Sequence, residues 1–569
     1  MSDKFARVPV ATTNRSRHDL SSPHITTTDF GRIDVVYHTQ LVPGDNFHAN
    51  LRSFLRAAPM PQPTMGKVYL NVRAFFVPNR ILCNKSSFDW DLWRNGESNN
   101  SHPYCTEENI IARFLGTNPL RPSHIRDYRR LLGQLGLPSR IFNRTSAFST
   151  QSEYNQKYSP FPFFSYNRIW WDWYRDSNLI PDSQRSAYID QLSAGFNGLS
   201  KFEPRYCCYP KDYFTTAKVN AQNDSTYGAA SRADLTGANF PSGPNPYDVV
   251  LSNGATASNA ISSSNYALSI QFLRVANSLQ HYLERNNIAG GRIMARYYAR
   301  FGATPDSVRL DQSEYIGGFS TPLNISDVTS LSNEGGFGIT PDNGFIVPDD
   351  SYAGQQAGKG YINGGSQINY HCKEDGTLMI LQSLVPEVFY YEGIPADFLR
   401  GVDNVKEDYF TPEFENIGYE PIRKKEVAAN RADLDGTAGT TDNEIFGFQP
   451  RYSKYKFKLG TISGDMTLSE TMTGMQGFNL FRKLVASNGA SGADLLPGFT
   501  MILPEDRHSF DRIFSIPGSA AGEFDHFWGI HFVDAKIDRP MSAAKLPSLE
   551  EDSHSSGKQV TIDNGGVRM

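Results

Sequence analysis

The clearest pattern of apolar and polar positions lies between residues 67 and 81, in the run KVYLNVRAFFVPNRI. Every second residue from Val68 to Phe76 is apolar, whereas Asn71 and Arg73 lie among the residues opposite. Alternation with a period of two places the apolar set on one face of a β-strand. Pro78 cannot donate a ladder hydrogen bond and is expected to end the strand.

Similar strand patterns recur from one end of the chain to the other. IDVVYHT begins at Ile33 and NFHANLRSFLR follows a Pro-Gly-Asp turn at 43–45, which together predict a hairpin. Further runs are TLMILQSLVPEVFYYEG at 377–393, RYSKYKFKLGTI at 451–462 and DHFWGIHFVDAKIDRP at 525–540. Strands are therefore expected at widely separated positions, with other segments inserted between them.

Two regions show a helical period instead. Residues 80–200 contain five of the six tryptophans and stretches such as SHIRDYRRLLGQLG, which starts at an N-cap Ser123 and ends near Gly136. We interpret this region as a helical, Trp-rich insertion whose aromatic runs at 88–93 and 161–174 either contact a neighbouring copy or pack in the core. A second helix is predicted from 267 to 286, where apolar residues recur at helical spacing.

Four segments are too polar to build a core of their own. They are an N-terminal arm (1–30), a loop at 221–266, a Gly/Ser/Asn-rich loop at 317–369 and a C-terminal tail (550–569). The arm is expected either to fray as an ordinary terminus or to contact nucleic acid through Arg7, Arg15 and Arg17. The loop at 221–266 is either a linker or a surface protrusion.

This organisation predicts a mainly β fold with residues 31–569 in a single domain. Sequence-distant strands interrupted by helices and loops favour one antiparallel β-barrel or sandwich, and in particular a jelly roll with long helical and loop insertions. No fixed repeat is present.

Composition sets limits on partners and location. The net charge is −5, so a basic field over the whole surface is excluded and any contact with nucleic acid must be local. Five scattered cysteines predict free buried thiols and no disulfide framework. Neither a signal peptide nor an apolar stretch of membrane-spanning length is present, so we expect a chain made in the cytoplasm and kept in solution.

No pattern of catalytic residues is present. GQQAGKG at 354–360 is one residue short of a phosphate-binding loop and has Gly360 where a hydroxyl is required. The metalloprotease motif H-E-x-x-H and the serine hydrolase motif G-x-S-x-G are both missing. We therefore predict no catalytic, cofactor-binding or metal-binding residues. The aromatic content still leaves a β-sandwich carbohydrate-binding or carbohydrate-active protein as the alternative.

Eight segments, taken in order, resemble the major capsid protein of the microviruses, especially the gokushovirus-like branch. They are LVPGDNFHAN at 41–50, FFVPNRI at 75–81, KDYFTTA at 211–217, LRVANSLQHYLERN with the following GGR at 273–292, ARFGATPDSVRLDQSEYIGG at 299–318, EDG at 374–376, FGFQPRYSKYKFK at 446–458 and DRPMSAAKLPSL at 538–549. Together they span nearly the whole chain.

The resemblance implies a structural protein of the virion and not an enzyme. Sixty copies would close a T=1 icosahedral bacteriophage shell around circular single-stranded DNA, in company with a small basic internal DNA-binding protein. The resemblance places residues 221–266 near the threefold axes, facing a host-cell receptor. Candidate attachment residues there are Tyr227, Arg232, Phe240 and Tyr247.

Overall fold

The computed structural model describes the chain chiefly in the ranges 15–60, 63–94, 101–115, 122–138, 156–177, 179–193, 199–218, 311–329, 356–391, 393–399, 418–427, 445–467 and 524–541. Shorter described pieces lie at 277–278, 281, 285, 298–299, 301–302, 337–339, 346–348, 478–480, 482, 500–502, 510–514, 561–563 and 566–568. The loop at 221–266, and Arg7 in the arm, lie outside the described residues, as does most of the helix predicted at 267–286.

Strands form most of the described secondary structure. They are β1 (Ser16–Asp19), β2 (Ser22–Thr28), β3 (Asp34–Leu41), β4 (Asn46–Ala57), β5 (Val68–Pro78), β6 (Cys105–Thr106), β7 (Lys157–Tyr158), β8 (Glu314–Pro322), β9 (Asn324–Thr329), β10 (Phe337–Ile339), β11 (Ile346–Pro348), β12 (Gln356–His371), β13 (Gly376–Pro386), β14 (Tyr419–Arg423), β15 (Ile445–Pro450), β16 (Phe527–Arg539), β17 (Thr561–Asp563) and β18 (Gly566–Arg568). The helices are α1 (Trp90–Arg94), α2 (Glu107–Leu115), α3 (Pro122–Gln134), α4 (Phe161–Ile169), α5 (Arg185–Tyr188), α6 (Ala396–Leu399) and α7 (Lys424–Val427).

Two antiparallel sheets form the centre of the molecule. The first sheet has the order β1-β16-β4-β12-β9, with β2 also pairing with β16, and the second has the order β3-β13-β5-β8. Aromatic rings cross between them, with Tyr37 and Phe47 at 6.4 Å and Phe76 and Tyr370 at 5.1 Å. The mainly β prediction is confirmed, and the two-sheet connectivity agrees with the jelly roll that the resemblance implies.

The predicted alternation of β5 is present, since Val68, Leu70, Val72 and Ala74 are buried. The predicted hairpin between β3 and β4 is wrong. The Pro-Gly-Asp turn forms, with Gly44 at φ +91°, but β3 pairs with β13 and β4 pairs with β12 and β16. The turn therefore carries the chain from one sheet to the other.

The segment at 317–369 is not the predicted loop, because its described residues include β9 and most of β8 and β12. Sheet pairing uses backbone groups, so a polar Gly-rich sequence can form long strands when its partners are already ordered. Close packing also requires glycine here: a Cβ on Gly318 would lie 2.1 Å from the Val72 carbonyl oxygen. A Cβ on Gly364 would lie 2.3 Å from the Thr321 hydroxyl oxygen.

The N-terminal arm is also more ordered than expected. Its described residues, from 15 onward, include β1 and β2, both of which pair with β16, a strand more than 490 residues later in the chain. The predicted strand at 451–462 is wrong, because Tyr452 adopts φ +62° and begins a short 3₁₀ turn at Ser453–Tyr455. The strand in this motif is β15, just before it.

Helices occur within 80–200 as predicted, and α3 ends beside Gly136 at φ +83°. The aromatic run at 161–174 packs in the core of its own chain: Phe161, Tyr166, Trp170 and Trp171 are all buried. Intrachain packing therefore explains this run without a neighbouring copy.

Gly31 supports a first prediction. It has φ +73°, and a Cβ there would lie 2.3 Å from the Ile502 Cβ, so Gly31→Ala should destabilise the fold by about 2–4 kcal/mol. Gly136→Ala is the matched control, because its φ is similarly positive but nothing lies within 4 Å of the added atom. We expect the control to cost about 1 kcal/mol in denaturant unfolding. Equal losses in the two variants would contradict the close packing at Gly31.

Candidate assembly and nucleic-acid contact surfaces

A buried ionic cluster fixes the chain entering β3 to α3 and to the segment before β16. Arg32, 1% exposed, donates from Nε to Asp34 Oδ1 at 2.7 Å and from Nη1 to Asp127 Oδ1 at 2.9 Å. Both of its Nη atoms donate to the Asp525 carboxylate at 2.8 Å. Arg130 adds a second cation, 3.0 Å from Asp127.

The electrostatics of this cluster follow from burial and from the central cation. Burial raises the pKa of Asp525, but the Arg32 guanidinium outweighs it, so the net pKa is below the usual value. Burial dominates at Asp34 and raises the pKa of that carboxyl. The cluster joins segments almost 500 residues apart in sequence, and we assign it a structural role.

Two of the three arginines predicted to contact DNA lie on the described part of the arm. Arg17 is largely exposed and forms a bidentate pair with Asp538, at 2.7 and 3.0 Å. Arg15 donates to the Gly44 carbonyl oxygen at 3.0 Å. Both side chains therefore bond the turn or strand beside them, and a phosphate would have to share or replace those contacts.

One end of the outward face of the first sheet carries a cluster of exposed apolar side chains. Trp528, Phe532 and Tyr361 are 40%, 44% and 43% exposed, and Phe54 is half-buried between their strands. Ile25, on the neighbouring β2, is 79% exposed. The solvent-facing side of an antiparallel sheet normally carries polar residues, so this cluster of exposed apolar side chains marks a contact surface.

Cations alternate with these rings. Arg56 lies directly opposite Trp528 on one side and Tyr361 on the other, and Arg52 lies opposite Phe532. The Arg56 guanidinium is 5.5 Å from the Phe54 ring centroid. We call this surface the aromatic–cationic face and define it by these residues, which share one side of the sheet: Phe54, Tyr361, Trp528, Phe532, Arg52, Arg56 and Lys359.

A groove of about 600 Å³ runs along one edge of this face. Ile25, Phe54, Arg56 and Trp528 contribute to its wall, and Gln134 of α3 closes the opposite side. Gln134 is held there because its Nε2 donates to the Thr26 hydroxyl oxygen at 3.2 Å. The groove places apolar rings and a guanidinium beside open solvent.

A second groove, of about 400 Å³, lies where two of the eight recognised motifs meet. Tyr390 donates to Asp212 of the KDYFTTA motif at 2.6 Å, and Gln449 donates to the Tyr213 carbonyl oxygen at 2.6 Å. Lys456 and the exposed Phe457 line its rim. These bonds give the two motifs a shared packing role.

Two buried histidines in and just before β16, His531 and His526, make packing and hydrogen-bond contacts within the fold. Burial lowers the pKa of His531 to about 3, which keeps the imidazole neutral beside the Ser53 hydroxyl, 2.8 Å away. Burial also lowers the pKa of His526, but the Asp29 carboxylate outweighs that effect and the net pKa is raised. The His526 ring stacks on Phe514 at 4.3 Å.

The described residues contain no group of three or more His, Cys, Asp or Glu side chains arranged to hold a metal ion. All five cysteines are free thiols and all except Cys208 are buried. Burial raises the pKa of Cys83, Cys105, Cys207 and Cys372 to about 12. Within the described part of the chain no helix combines the length and apolarity needed to span a membrane.

The candidate attachment residues Tyr227, Arg232, Phe240 and Tyr247 lie outside the described residues, like Arg7. Sequence reasoning missed the aromatic–cationic face, although the alternation of Arg52, Phe54 and Arg56 in one strand was visible. Its other members come from β12 and β16, and only strand register brings them together.

Comparison with known proteins identifies the class: residues 6–548 match the family described as capsid protein (F protein). The chain therefore belongs to the F-type phage capsid protein family.

Individual relatives agree with the family. The chain is 24% identical to capsid protein VP1 of Bdellovibrio phage phiMH2K, over 81% of this chain and 84% of that one. It is 21% identical to capsid protein VP1 of Chlamydia phage 1, over 96% and 98% of the two chains. It is 26% identical to capsid protein VP1 of Spiroplasma virus 4, over 80% and 83%.

Proposed function

We propose that this capsid protein assembles as sixty copies into a T=1 icosahedral shell that encloses circular single-stranded DNA. The observation that carries the proposal is the family match across 6–548, which spans both sheets and every large insertion between them. This match favours the capsid role over the carbohydrate-binding or carbohydrate-active alternative.

The fold suits closed assembly. Pairing within the two sheets uses most strand edges, so copies are expected to meet through loops and helices and not by pairing strands edge to edge. Contacts that return around symmetry axes then limit growth to a closed shell. The protein is expected to be made in the cytoplasm of a host bacterium and to end in the virion.

Residues 221–266 are the proposed host-contact segment, near the threefold axes, with Tyr227, Arg232, Phe240 and Tyr247 as its contact residues. A polar segment of this length between the KDYFTTA motif and the next recognised motif, at 273–292, is typical of a surface insertion. Sequence changes in this segment would alter binding to a bacterial surface receptor and leave the two sheets unchanged.

Arg7, Arg15 and Arg17 are proposed to face the genome, with a small basic internal protein supplying further positive charge. Because the chain carries a net charge of −5, packaging cannot rely on its overall field.

The nucleic acid extracted from purified particles tests the enclosed genome directly. We expect circular DNA that a single-strand-specific nuclease degrades after extraction but not within intact particles. Double-stranded DNA, or particles devoid of nucleic acid, would contradict the proposed genome.

A further inference from the structure

The aromatic–cationic face has a repeating geometry. Successive outward positions along one strand lie about 6.7 Å apart, and neighbouring strands lie about 4.8 Å apart. Tyr361, Arg56 and Trp528 form one row across three strands, and Arg52 and Phe532 lie in a parallel row two positions further along. Rings and guanidinium groups are therefore held at fixed intervals on a rigid sheet.

The charge on this face is locally positive. Within the described part of the chain Arg52, Arg56 and Lys359 have no carboxylate partner, and these rows contain no acidic residue on the same side. On β16 the nearest carboxylate on this side is Asp534, one outward position beyond Phe532, and it accepts a hydrogen bond from the Ser21 hydroxyl at 3.1 Å. Asp538 lies two outward positions further along, so three cations face one neighbouring carboxylate. Arg17 already pairs with Asp538.

This combination favours nucleic acid over a second protein surface. Every base has a π-face that stacks on an aromatic ring, and arginine pairs with phosphate while also stacking on rings. Protein interfaces deplete charge at their centres, and burying three unpaired cations against another copy would be costly. Exposed rings between unpaired cations are the feature that single-stranded nucleic acid uses.

We propose that the aromatic–cationic face binds single-stranded DNA, with Trp528, Phe532 and Tyr361 stacking on bases and Arg52 and Arg56 contacting phosphates. The proposal rests on the proposed function, because it assigns part of the genome contact to this sheet. It extends the contact beyond the N-terminal arginines to a rigid platform that recognises the strand without sequence preference.

Binding of a fluorescent oligothymidylate to the purified full-length protein tests the proposal. We expect Trp528→Ala and Phe532→Ala each to weaken binding about tenfold, whereas Trp528→Phe retains most of the affinity. The double variant Arg52→Gln, Arg56→Gln should reduce the slope of log affinity against log salt by about 1.4, since each phosphate contact contributes about 0.7. Lys536→Gln, on the same side at the acidic end of the sheet, is the matched control and should change affinity less than twofold.

Thermal unfolding of each variant verifies that the fold is intact, which is expected because the changed side chains are exposed. Unchanged affinity and salt slope in the alanine and glutamine variants would overturn the proposal, even if particles contain single-stranded DNA. Lost assembly with unchanged DNA affinity would also overturn it and would assign the face to contact between copies. Particles without single-stranded DNA would instead refute the proposed function, independently of these binding curves.

Discussion

Replacing Arg32 with glutamine is expected to destabilise the protein by about 3–5 kcal/mol, a large part of the stability of an ordinary domain. The substitution removes the cation that bonds Asp34, Asp127 and Asp525 at 2.7–2.9 Å in a fully buried position. Asp127 and Asp525 would retain Arg130, whereas Asp34 would lose its ion pair with Arg32. Urea unfolding of purified protein, together with soluble yield, measures the effect.

Arg17→Gln is the matched control. Arg17 also joins the N-terminal segment to β16 through a bidentate aspartate pair, but its side chain is 65% exposed. Exposed pairs contribute about 0–1 kcal/mol, so the control should unfold almost like the parent protein. If Arg32→Gln cost no more than Arg17→Gln, the buried cluster would not have the stabilising role assigned to it.

Asp34→Asn keeps the experiment informative if Arg32→Gln yields no folded protein. Burial already raises the pKa of Asp34, and the cluster has three carboxylates for two guanidinium groups. Neutralising this carboxyl removes surplus negative charge while retaining an acceptor for the Arg32 Nε. We expect a loss of about 1 kcal/mol, well below that of Arg32→Gln.

Deleting residues 221–266 and closing the gap with a short Gly-Ser linker should leave particle assembly intact and reduce adsorption about 100-fold or more. Many copies of one weak site on a shell act together, so removing the site from all copies abolishes that multivalent gain. Particle yield by electron microscopy and adsorption to a strain that supports plaque formation give the two readouts.

A variant of unchanged length provides the control for the deletion. Combined alanine substitution of Tyr227, Arg232, Phe240 and Tyr247 retains the segment but removes its proposed contact side chains. Adsorption should fall in this variant too. Failure of the deletion to assemble, together with normal adsorption of the alanine variant, would contradict the host-contact role.

The strands were predictable wherever burial on one face imposed alternation, as from Val68 to Phe76. The partners with which each strand pairs were not predictable from the sequence. The turn at Gly44 has the chemistry of a hairpin, but the choice of sheet depends on strands from β12 to β16, more than 300 residues away. Local sequence determines that the chain turns at Gly44. Pairing with strands distant in sequence determines which sheet the next strand joins.

Composition misled the interpretation of 317–369. Glycine and asparagine lower β propensity, but β12 lies between two ordered strands that supply its hydrogen bonds. At Gly318 and Gly364 the absence of a side chain is required by close contacts. The glycines that indicated a loop are therefore required for the packing of the sheet.

The candidate surfaces were predictable only in part. Arg15 and Arg17 could be named because cations in a polar terminus are visible in sequence. The aromatic–cationic face combines β4 with β12 and β16, and the Arg32 cluster combines residues 34, 127 and 525. Neither set has a local spacing that a motif could describe, because tertiary pairing alone assembles it.

Electron microscopy of the purified full-length protein tests the central claim most directly. The account predicts uniform isometric particles of one diameter, with sixty subunits in an icosahedral reconstruction and density for both sheets in the shell wall. A population of small soluble oligomers, or open tubes and fibres under conditions in which the protein is folded, would contradict it.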